Sequence, residues 1–130
     1  PGIPCVYYGS EWGEKADKSQ GDPALRPSFE APVFNELTDY ISKLATAKKE
    51  SIALNYGDFS STLLTNKQCV FKRHADEETV YVCINADEND FDAYCEIKNG
   101  TYIDLITKES LEIGDCFKMP GYSAFYLKHI

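Results

Sequence analysis

The opening stretch, residues 1–13, places the strongest constraint on how this chain can fold. Ile3 and the run Cys5-Val6-Tyr7-Tyr8 are apolar or aromatic without alternation, which is typical of a short strand buried on both faces. A Gly-x-Glu-x-Gly exit from Gly9 to Gly13 follows and predicts a loop. Such a strand needs neighbours on both edges, and no other segment offers a parallel partner joined by a crossover helix. We therefore expect this strand to belong to a sheet that lies upstream of residue 1.

A polar loop and one amphipathic helix come next. Residues 14–23 are polar and show no periodicity, so they are predicted to be a loop. Between Pro32 and about Glu50, apolar residues recur at three- and four-residue spacing: Phe34, Leu37, Ile41, Leu44 and Ala45. Acidic residues come early in this segment and lysines come late, which suits the helix dipole. We expect an amphipathic helix that packs on an apolar surface.

The remainder of the chain has the pattern of an all-β domain. Short apolar runs separated by turn residues predict seven strands, at about 58–65, 68–74, 79–86, 93–98, 101–106, 110–113 and 122–128. Their number and spacing indicate an antiparallel, Greek-key-like β-sandwich. The fold class is therefore mainly β, with one helix ahead of the sandwich. We place the boundary between the two parts so that residues 1–52 form the first domain and residues 53–130 the second.

The alternation of residues within two strands predicts which faces are buried. In strand 79–86, Val80, Val82 and Ile84 share one face, while Tyr81 and Cys83 share the other, so this strand is predicted to be central and covered on both sides. In strand 122–128, the two faces hold different sets of residues: Phe125 and Leu127 on one, and Tyr122, Ala124 and Tyr126 on the other.

Asn99-Gly100 lies between two of the predicted strands. Asn-Gly is the strongest short hairpin signal, so we expect a tight turn that joins Tyr94–Lys98 to Tyr102–Ile106. The same residues, with Thr101, match the acceptor pattern for N-glycosylation. The hairpin is the favoured interpretation.

Charge and cysteine content exclude several classes of partner. The formal net charge is −8, and the 13 basic residues are scattered, which argues against nucleic acid and against an anionic membrane surface. A neutral partner such as carbohydrate remains compatible. The five cysteines are an odd number without a C-x-x-C pair, so we expect buried thiols in a reducing compartment and favour a cytoplasmic location. The sequence has no apolar run of 18 residues.

Two motifs in the first domain carry a family resemblance. Gly2-Ile3-Pro4-x-x-Tyr7-Tyr8-Gly9-x-Glu11 resembles the last barrel strand of the α-amylase family of glycoside hydrolases. Asp22-Pro23-x-x-Arg26-Pro27 resembles the loop that follows that strand. The order of one helix and then a run of strands is also similar, so the resemblance covers essentially the whole chain.

The resemblance implies a parent enzyme that acts on α-linked glucans or maltooligosaccharides, as a hydrolase or a glucanotransferase. Residues 1–52 are then the last strand, rim loop and last helix of a (β/α)8 barrel, and residues 53–130 are the C-terminal β-sandwich, with a structural or accessory role. The missing partner of this chain is the N-terminal part of that barrel. None of the family's catalytic motifs occurs here, so we expect no catalytic carboxylate, no cofactor and no activity from the chain alone.

Four residues are candidates for substrate binding in the parent enzyme: Tyr8, Glu11, Asp22 and Arg26. Loops at the carboxyl ends of barrel strands build the active site, where a ring can stack on a sugar and an arginine can hydrogen-bond hydroxyls. The alternative is that Glu11 and Arg26 are structural and pair with each other or with nearby loops. Two positions depart from the family pattern, because Ser28-Phe29 stand where related sequences often have Trp or Met, and Ser51 stands where a proline is typical.

The run Asp87-Glu88-Asn89-Asp90-Phe91-Asp92 is the densest group of carboxylates and invites a calcium interpretation. Phe91 stands where an EF-hand would need a ligand, and the run has no glycine. We therefore predict a solvated acidic turn and no metal site.

Two further hypotheses remain open for the chain as a whole. In the first, the chain is a free-standing β-sandwich module that binds carbohydrate or protein and catalyses no reaction. In the second, the chain is part of the enzyme and its β-sandwich itself binds glucan.

The first strand is expected to be extended, because its neighbouring strands are absent. It should either pack again on the helix or pair with another chain, and such pairing would cause self-association.

Overall fold

The computed structural model describes residues 2–130; Pro1, the first residue of the predicted strand stretch, lies outside the described residues. Two compact units divide the chain after Ala45. The helices are α1 (Asp22–Leu25), α2 (Glu36–Glu50) and α3 (Ile52–Tyr56), with 3₁₀ turns at Ser10–Trp12 and Lys18–Gln20. The strands are β1 (Asp58–Leu64), β2 (Gln68–Ala75), β3 (Glu78–Asn85), β4 (Phe91–Ala93), β5 (Gly100–Asp104), β6 (Ser110–Ile113), β7 (Phe117–Met119) and β8 (Ser123–His129).

The predicted first strand is absent from the first unit. Residues 2–7 form no ladder within the described chain, and Ile3, Val6 and Tyr7 are 95%, 54% and 60% exposed. The expectation that this segment packs again on the helix is therefore wrong. The physical reason is that a doubly buried strand is stabilised only by neighbours on both edges and both faces, and the described residues supply neither. Self-association through this segment stays a prediction.

The amphipathic helix is confirmed as α2, which begins at Glu36. The Asn35 side chain caps it, because its Oδ1 accepts a hydrogen bond of 3.0 Å from the backbone N–H of Thr38. Glu36 and Asp39 lie in the first turn and Lys48 and Lys49 in the last, as the dipole favours.

The apolar face of α2 is incompletely covered in the described chain. Phe34, just before the helix, is 81% exposed, and Leu37 is 41% exposed. Of the helix residues, only Ala47 is fully buried. The predicted packing of this stripe on an apolar surface is therefore only partial in the described residues.

The second unit is built on a six-stranded antiparallel sheet in the order β1-β2-β3-β8-β5-β6, with a separate two-stranded sheet formed by β4 and β7. The expectation of a mainly β, antiparallel fold is confirmed. The chain order is not sequential, because β8 lies between β3 and β5 and pairs antiparallel with both. β1 carries a bulge between Ser61 and Leu63. None of the helices in the part of the chain that the structure describes is long and apolar enough to cross a membrane.

Strand β3 separates two apolar clusters, as the alternation of its residues predicts. Tyr81 and Cys83 lie in the larger cluster with residues of both sheets, including Tyr102, Met119 and Leu127. The opposite cluster is smaller and consists of Val80, Val82 and Ala53, with Leu54, Phe71, Ile84, Leu105 and Tyr126 packed around them. Helix α3 therefore covers one face of the sheet, and the β4–β7 layer covers the other.

Two strand predictions are corrected by the structure. Asn99-Gly100 does not form a hairpin, because residues 94–99 are not a strand and β5 pairs with β6 and β8 instead. The reason is tertiary: Ile97 is 7% exposed in the core, and the Tyr102 hydroxyl donates a hydrogen bond of 2.7 Å to the carbonyl of Lys98. Because of these contacts, residues 94–99 do not pair with β5 as a strand. The sequence patterns also miss β7, a strand of only three residues.

Buried polar side chains fix the connections between strands. The Asn85 side chain is fully buried, and its Nδ2 donates to the carbonyls of Asn89, Met119 and Pro120. The same side chain accepts, through Oδ1, from the Gln68 side chain and the backbone of Asp87. It therefore joins the end of β3 to the end of β7.

The Asp104 carboxylate is also buried. It accepts three backbone hydrogen bonds of 2.8 Å, from Ile106, Thr107 and Tyr126. It thereby ties the β5–β6 turn to β8.

Candidate functional site

The predicted rim loop of the first unit is organised by an aromatic cluster. Phe29 contacts Trp12 edge-on, with ring centroids 4.9 Å apart, and Tyr8 at 5.7 Å. Gly9 allows the Phe29 ring to pack against the backbone here, because a Cβ at this position would lie 3.0 Å from the ring. Its φ of 85° also favours glycine. Phe29, which departs from the family pattern, is therefore the residue on which the other rings pack. Sequence reasoning missed this role because the contact joins positions 17 to 21 residues apart.

The turn at Ser10–Trp12 is held by the start of α2. The Thr38 hydroxyl donates 2.9 Å to the carbonyl of Glu11, and the Asn35 side chain donates 2.9 Å to the carbonyl of Trp12. The side chains of the turn are less well satisfied. Glu11 Oε2 and Trp12 Nε1 are buried atoms without a hydrogen-bond partner among the described residues. A buried polar atom without a hydrogen bond destabilises the folded state. The turn therefore needs a further polar group that can hydrogen-bond to these two atoms.

A cleft of about 160 Å³ lies in this unit, and Tyr8 is the one predicted site residue among those that line it. The lining residues are Tyr7, Tyr8, Gly9, Ser10, Glu14, Ala16, Ala24, Leu25 and Pro27. Asp22 is exposed at the start of α1, and Arg26, also exposed, ends this helix with its N–H bonded at 3.1 Å to the carbonyl of Asp22. The structure therefore brings Asp22 and Arg26 together through the backbone of one helical turn.

Arg26 also acts electrostatically on Tyr8. Partial desolvation raises the pKa of the Tyr8 phenol, a hydrogen bond with Tyr7 adds to the rise, and the Arg26 charge acts in the opposite direction. The phenol therefore stays protonated at neutral pH and can donate a hydrogen bond. No ion pair joins Glu11 to Arg26 within the described chain, so their mutual pairing, the structural alternative, is not formed here.

The acidic run 87–92 is a turn that leads into β4, and two of its carboxylates, Asp87 and Asp90, already have partners. Asp87 forms an ion pair with Lys67 at 2.6 Å and accepts hydrogen bonds of 3.0 Å from the backbone and side chain of Asn89. Asp90 pairs with Lys118 at 2.9 Å. Among residues 2–130, no group of three or more His, Cys, Asp or Glu side chains is placed to hold a metal ion.

The five cysteines are free thiols. The expectation that they are buried is wrong for Cys5 and Cys116, which are exposed because neither lies in an apolar cluster. Cys83 is buried, and burial raises the pKa of its thiol.

The comparisons with known proteins cover both units. No established protein-family profile matches the chain. The chain is 26% identical over 130 residues to a cyclomaltodextrinase of Thermoanaerobacter pseudethanolicus, a match that spans 98% of this chain and 22% of the relative. It is 27% identical over 112 residues to a cyclomaltodextrin glucanotransferase of Bacillus licheniformis, which spans 81% of this chain and 15% of the relative. The crystal structure of an Anoxybacillus α-amylase superposes with a TM-score of 0.81 and 25% identity, over 98% of this chain and 29% of that one.

Over nearly its whole length, the chain is similar to the C-terminal part of α-amylase-family enzymes. It spans only about a fifth of the cyclomaltodextrinase that it matches along its whole length. The α-amylase of Geobacillus thermoleovorans, solved with acarbose, shares the same fold, with a TM-score of 0.84 and 24% identity over 98% of this chain and 30% of that one. The match includes the first unit as well as the β-domain, so the α-amylase-family resemblance of the two N-terminal motifs is confirmed.

Proposed function

We propose that this chain is part of an enzyme that acts on α-linked glucans, in which the β-domain has a structural or accessory role. The observation that carries the proposal is the match to cyclomaltodextrinase over 98% of the chain, which spans the rim loop, the helices and the β-domain together. A free-standing sandwich module would not need the first unit. Glycoside hydrolysis normally uses a pair of carboxylates flanking the scissile bond, and we expect that pair to lie outside this chain.

The coding sequence upstream of residue 1 provides the first test. We expect it to encode seven further βα units, with an Asp, a Glu and a second Asp at the ends of three strands. A natural start codon immediately before the codon of residue 1 would instead favour the stand-alone binding module.

The second test is enzymatic and uses purified residues 1–130. We expect no reducing sugar to be released from maltodextrin, while the complete enzyme, assayed in parallel at equal molarity, releases it. Measurable turnover by residues 1–130 would show that catalytic groups do lie in this chain.

Tyr8, Glu11, Asp22 and Arg26 are proposed to face the substrate in the complete enzyme. Support comes from the position of Tyr8 in the cleft and from the electrostatic influence of Arg26 on its phenol. Tyr8 would stack on a sugar ring and Arg26 would hydrogen-bond its hydroxyls. Glu11 and Asp22 would contribute carboxylate acceptors from the flanking turns.

The proposed substrate contacts can be tested in the complete enzyme with single substitutions. Tyr8→Ala and Arg26→Ala are expected to raise KM for maltoheptaose about tenfold, the loss of roughly 1.4 kcal/mol of binding. Lys43→Ala is the matched control, because Lys43 is an exposed residue of α2 whose ion pair is with Asp39 four positions earlier. An unchanged KM in both site variants would favour a purely structural role for these residues.

A further inference from the structure

The Asn99-Gly100 pair joins an irregular segment to β5, which begins at Gly100. Asn99 is exposed, and of the asparagines in the sequence it alone is followed by glycine. The side chain of an asparagine carries a carbonyl carbon that the backbone nitrogen of the next residue can attack. Glycine leaves that nitrogen unobstructed, because it has no Cβ. The pair therefore combines an accessible carbonyl carbon with an unhindered nucleophile.

The fold itself requires glycine at position 100. Gly100 has φ of 151°, a conformation that residues with side chains rarely adopt. A Cβ there would also lie 2.9 Å from Nε2 of His129 in β8. The His129 ring packs edge-on against the buried Tyr102 ring, with the centroids 5.0 Å apart. A bulkier residue that would shield the nitrogen therefore does not fit here without strain.

The Gly100 nitrogen lies at an end of the sheet that opens easily. Gly100 and Ile113 form an end pair of the β5–β6 ladder, and β6 is an edge strand of the six-stranded sheet. End pairs of a ladder open at a much smaller free-energy cost than global unfolding. The nitrogen is therefore exposed for attack while the rest of the domain stays folded.

We propose that Asn99 is a site of spontaneous deamidation in the folded protein, with water as the only co-reactant. The Gly100 nitrogen forms a bond to Cγ of Asn99, and the bond between Cγ and Nδ2 breaks. The proton lost by the Gly100 nitrogen passes through water to Nδ2, which leaves as ammonia. Water then opens the succinimide ring that results. Hydrolysis at Cγ gives aspartate, and hydrolysis at the main-chain carbonyl carbon gives isoaspartate, in which the main chain runs through Cγ.

Both products alter the contact between residue 99 and Asp115. In the unmodified chain, Asn99 Nδ2 donates a hydrogen bond of 2.8 Å to Oδ1 of Asp115, which lies between β6 and β7. A carboxylate in place of the amide has no donor at neutral pH, so two like charges would face each other across this contact. Deamidation therefore replaces an attraction with a repulsion.

Isoaspartate has a further effect, because it adds a carbon atom to the main chain between two anchored points. On one side, Ile97 is 7% exposed in the core, and the Lys98 carbonyl accepts a hydrogen bond of 2.7 Å from the Tyr102 hydroxyl. On the other side, Gly100 and Thr101 are already paired with β6. The added atom has no slack to enter, so we expect the end of β5 to separate from β6.

The test follows purified residues 1–130 during incubation at neutral pH, with peptide mapping by mass spectrometry. We expect the peptide that contains Asn99 to gain the mass difference between a hydroxyl and an amino group, and electron-transfer fragmentation to identify isoaspartate. Asn66 is the internal control, because it is exposed but followed by Lys67. Deamidation at Asn99 should be about tenfold faster or more than at Asn66. Asn99→Gln should stop the reaction, because the longer side chain closes a less favourable ring.

The structural consequence has its own measurement. Anion exchange separates the modified chains, since each carries one more negative charge than the formal −8 of the unmodified chain. Amide hydrogen exchange in the isoaspartate form should be severalfold faster at residues 100–103 and 110–113 and unchanged in β2 and β3.

Three results would overturn the proposal. The first is deamidation at Asn99 that is no faster than at Asn66. The second is deamidation that occurs only in denaturant, which would mean that the folded chain protects the pair. The third is an isoaspartate form with unchanged hydrogen exchange in β5 and β6. The proposal does not rest on the proposed function, and none of these results affects the test of the upstream sequence.

Discussion

Asn85 shows how much of this fold depends on one polar side chain. Its amide makes five hydrogen bonds, three as a donor and two as an acceptor, to partners between Gln68 and Pro120. Removing it would leave several buried carbonyls and one buried side-chain amide without partners, and each such group costs on the order of 1–3 kcal/mol. The β4–β7 layer depends on it most, because that layer consists of two strands of three residues each.

We expect Asn85→Ala to lower the free energy of unfolding by about 2–4 kcal/mol. Urea denaturation followed by circular dichroism measures this change. Asn99→Ala is the control, because Asn99 is exposed and its side chain donates a hydrogen bond to exposed Asp115; it should change stability by less than about 0.5 kcal/mol. Equal losses in the two variants would contradict the role assigned to Asn85.

Asp87 gives the β-domain a specific response to acid. Its hydrogen bond with Lys67, followed by the bonds from Asn89, lowers the pKa of this carboxyl to about 2. In the unfolded chain the pKa is near its ordinary value of about 3.9. A group whose pKa is depressed by folding stabilises the folded state above the unfolded pKa, and this contribution is lost as pH falls from about 4 through about 2.

We expect Lys67→Met to raise the pKa of Asp87 toward its ordinary value, as measured by NMR titration of the side-chain carboxyl carbon. Asp87→Asn should make the free energy of unfolding less dependent on pH between about 4 and 2. A pKa of Asp87 that stays at about 2 in the Lys67→Met variant would show that the Asn89 bonds, rather than Lys67, hold it down.

At the scale of elements, the docking of α3 depends on a close approach at one glycine. Gly57 has φ of −66°, so an alanine there would suffer no backbone strain, and its cost would come from contact alone. The added Cβ would collide with backbone atoms of Ala53 and His74, neither of which can rotate away.

We expect Gly57→Ala to destabilise the chain by about 2 kcal/mol or more. Thermal unfolding measures this effect. Gly114→Ala is the matched control, because a Cβ there would have nothing within 4 Å; it should be neutral within about 0.5 kcal/mol. A neutral Gly57→Ala would mean that α3 is free to shift away from β2.

The sequence predicted the elements whose burial is regular. The faces of β3 and β8 followed from their alternation, because residues 80–84 of β3 and 125–127 of β8 lie alternately in the two clusters, with a period of two. The hairpin at Asn99-Gly100 failed because Ile97 and Lys98 make core contacts that outweigh the local turn preference. β7 has three residues, too few to show a period.

For the candidate site, the sequence predicted which types of residue are present more reliably than how their side chains are arranged. The N-terminal motifs identified the family, and Tyr8 does line a cleft. The packing of Trp12 and Tyr8 on Phe29 could not be derived, because it depends on a loop closing over residues that are distant in the chain.

At the scale of the whole molecule, the two units differ in how they are stabilised. The second unit has two apolar clusters and a continuous six-stranded ladder. Of the described residues of the first unit, none belongs to either cluster, and Ile3 and Phe34 are exposed. The division of the chain into domains 1–52 and 53–130 stays a prediction. In the structure, the boundary between the two compact units falls between Ala45 and Thr46.

We expect residues 46–130 alone to fold cooperatively, with a free energy of unfolding within about 1 kcal/mol of that of the full chain. The contacts that anchor α3 remain in this piece, including Lys48 Nζ to the carbonyl of Leu54 at 2.8 Å and Asn55 Nδ2 to the carbonyl of Lys48 at 2.7 Å. Near-UV circular dichroism and urea denaturation compare the two chains. Loss of cooperative unfolding in the shorter chain would show that the first unit supports the second.

The central position of β3 also matters for what happens when the molecule opens. From Thr79 to Asn85 the chain runs for seven residues without a charge, a proline or a glycine, and it is rich in residues that favour strands. Segments of this composition assemble into cross-β fibrils when they are exposed. In the folded chain β2 and β8 pair with both edges of β3, and apolar clusters cover both of its faces. The fold therefore keeps its most aggregation-prone segment where another copy of the chain can reach it only after the sheet has come apart.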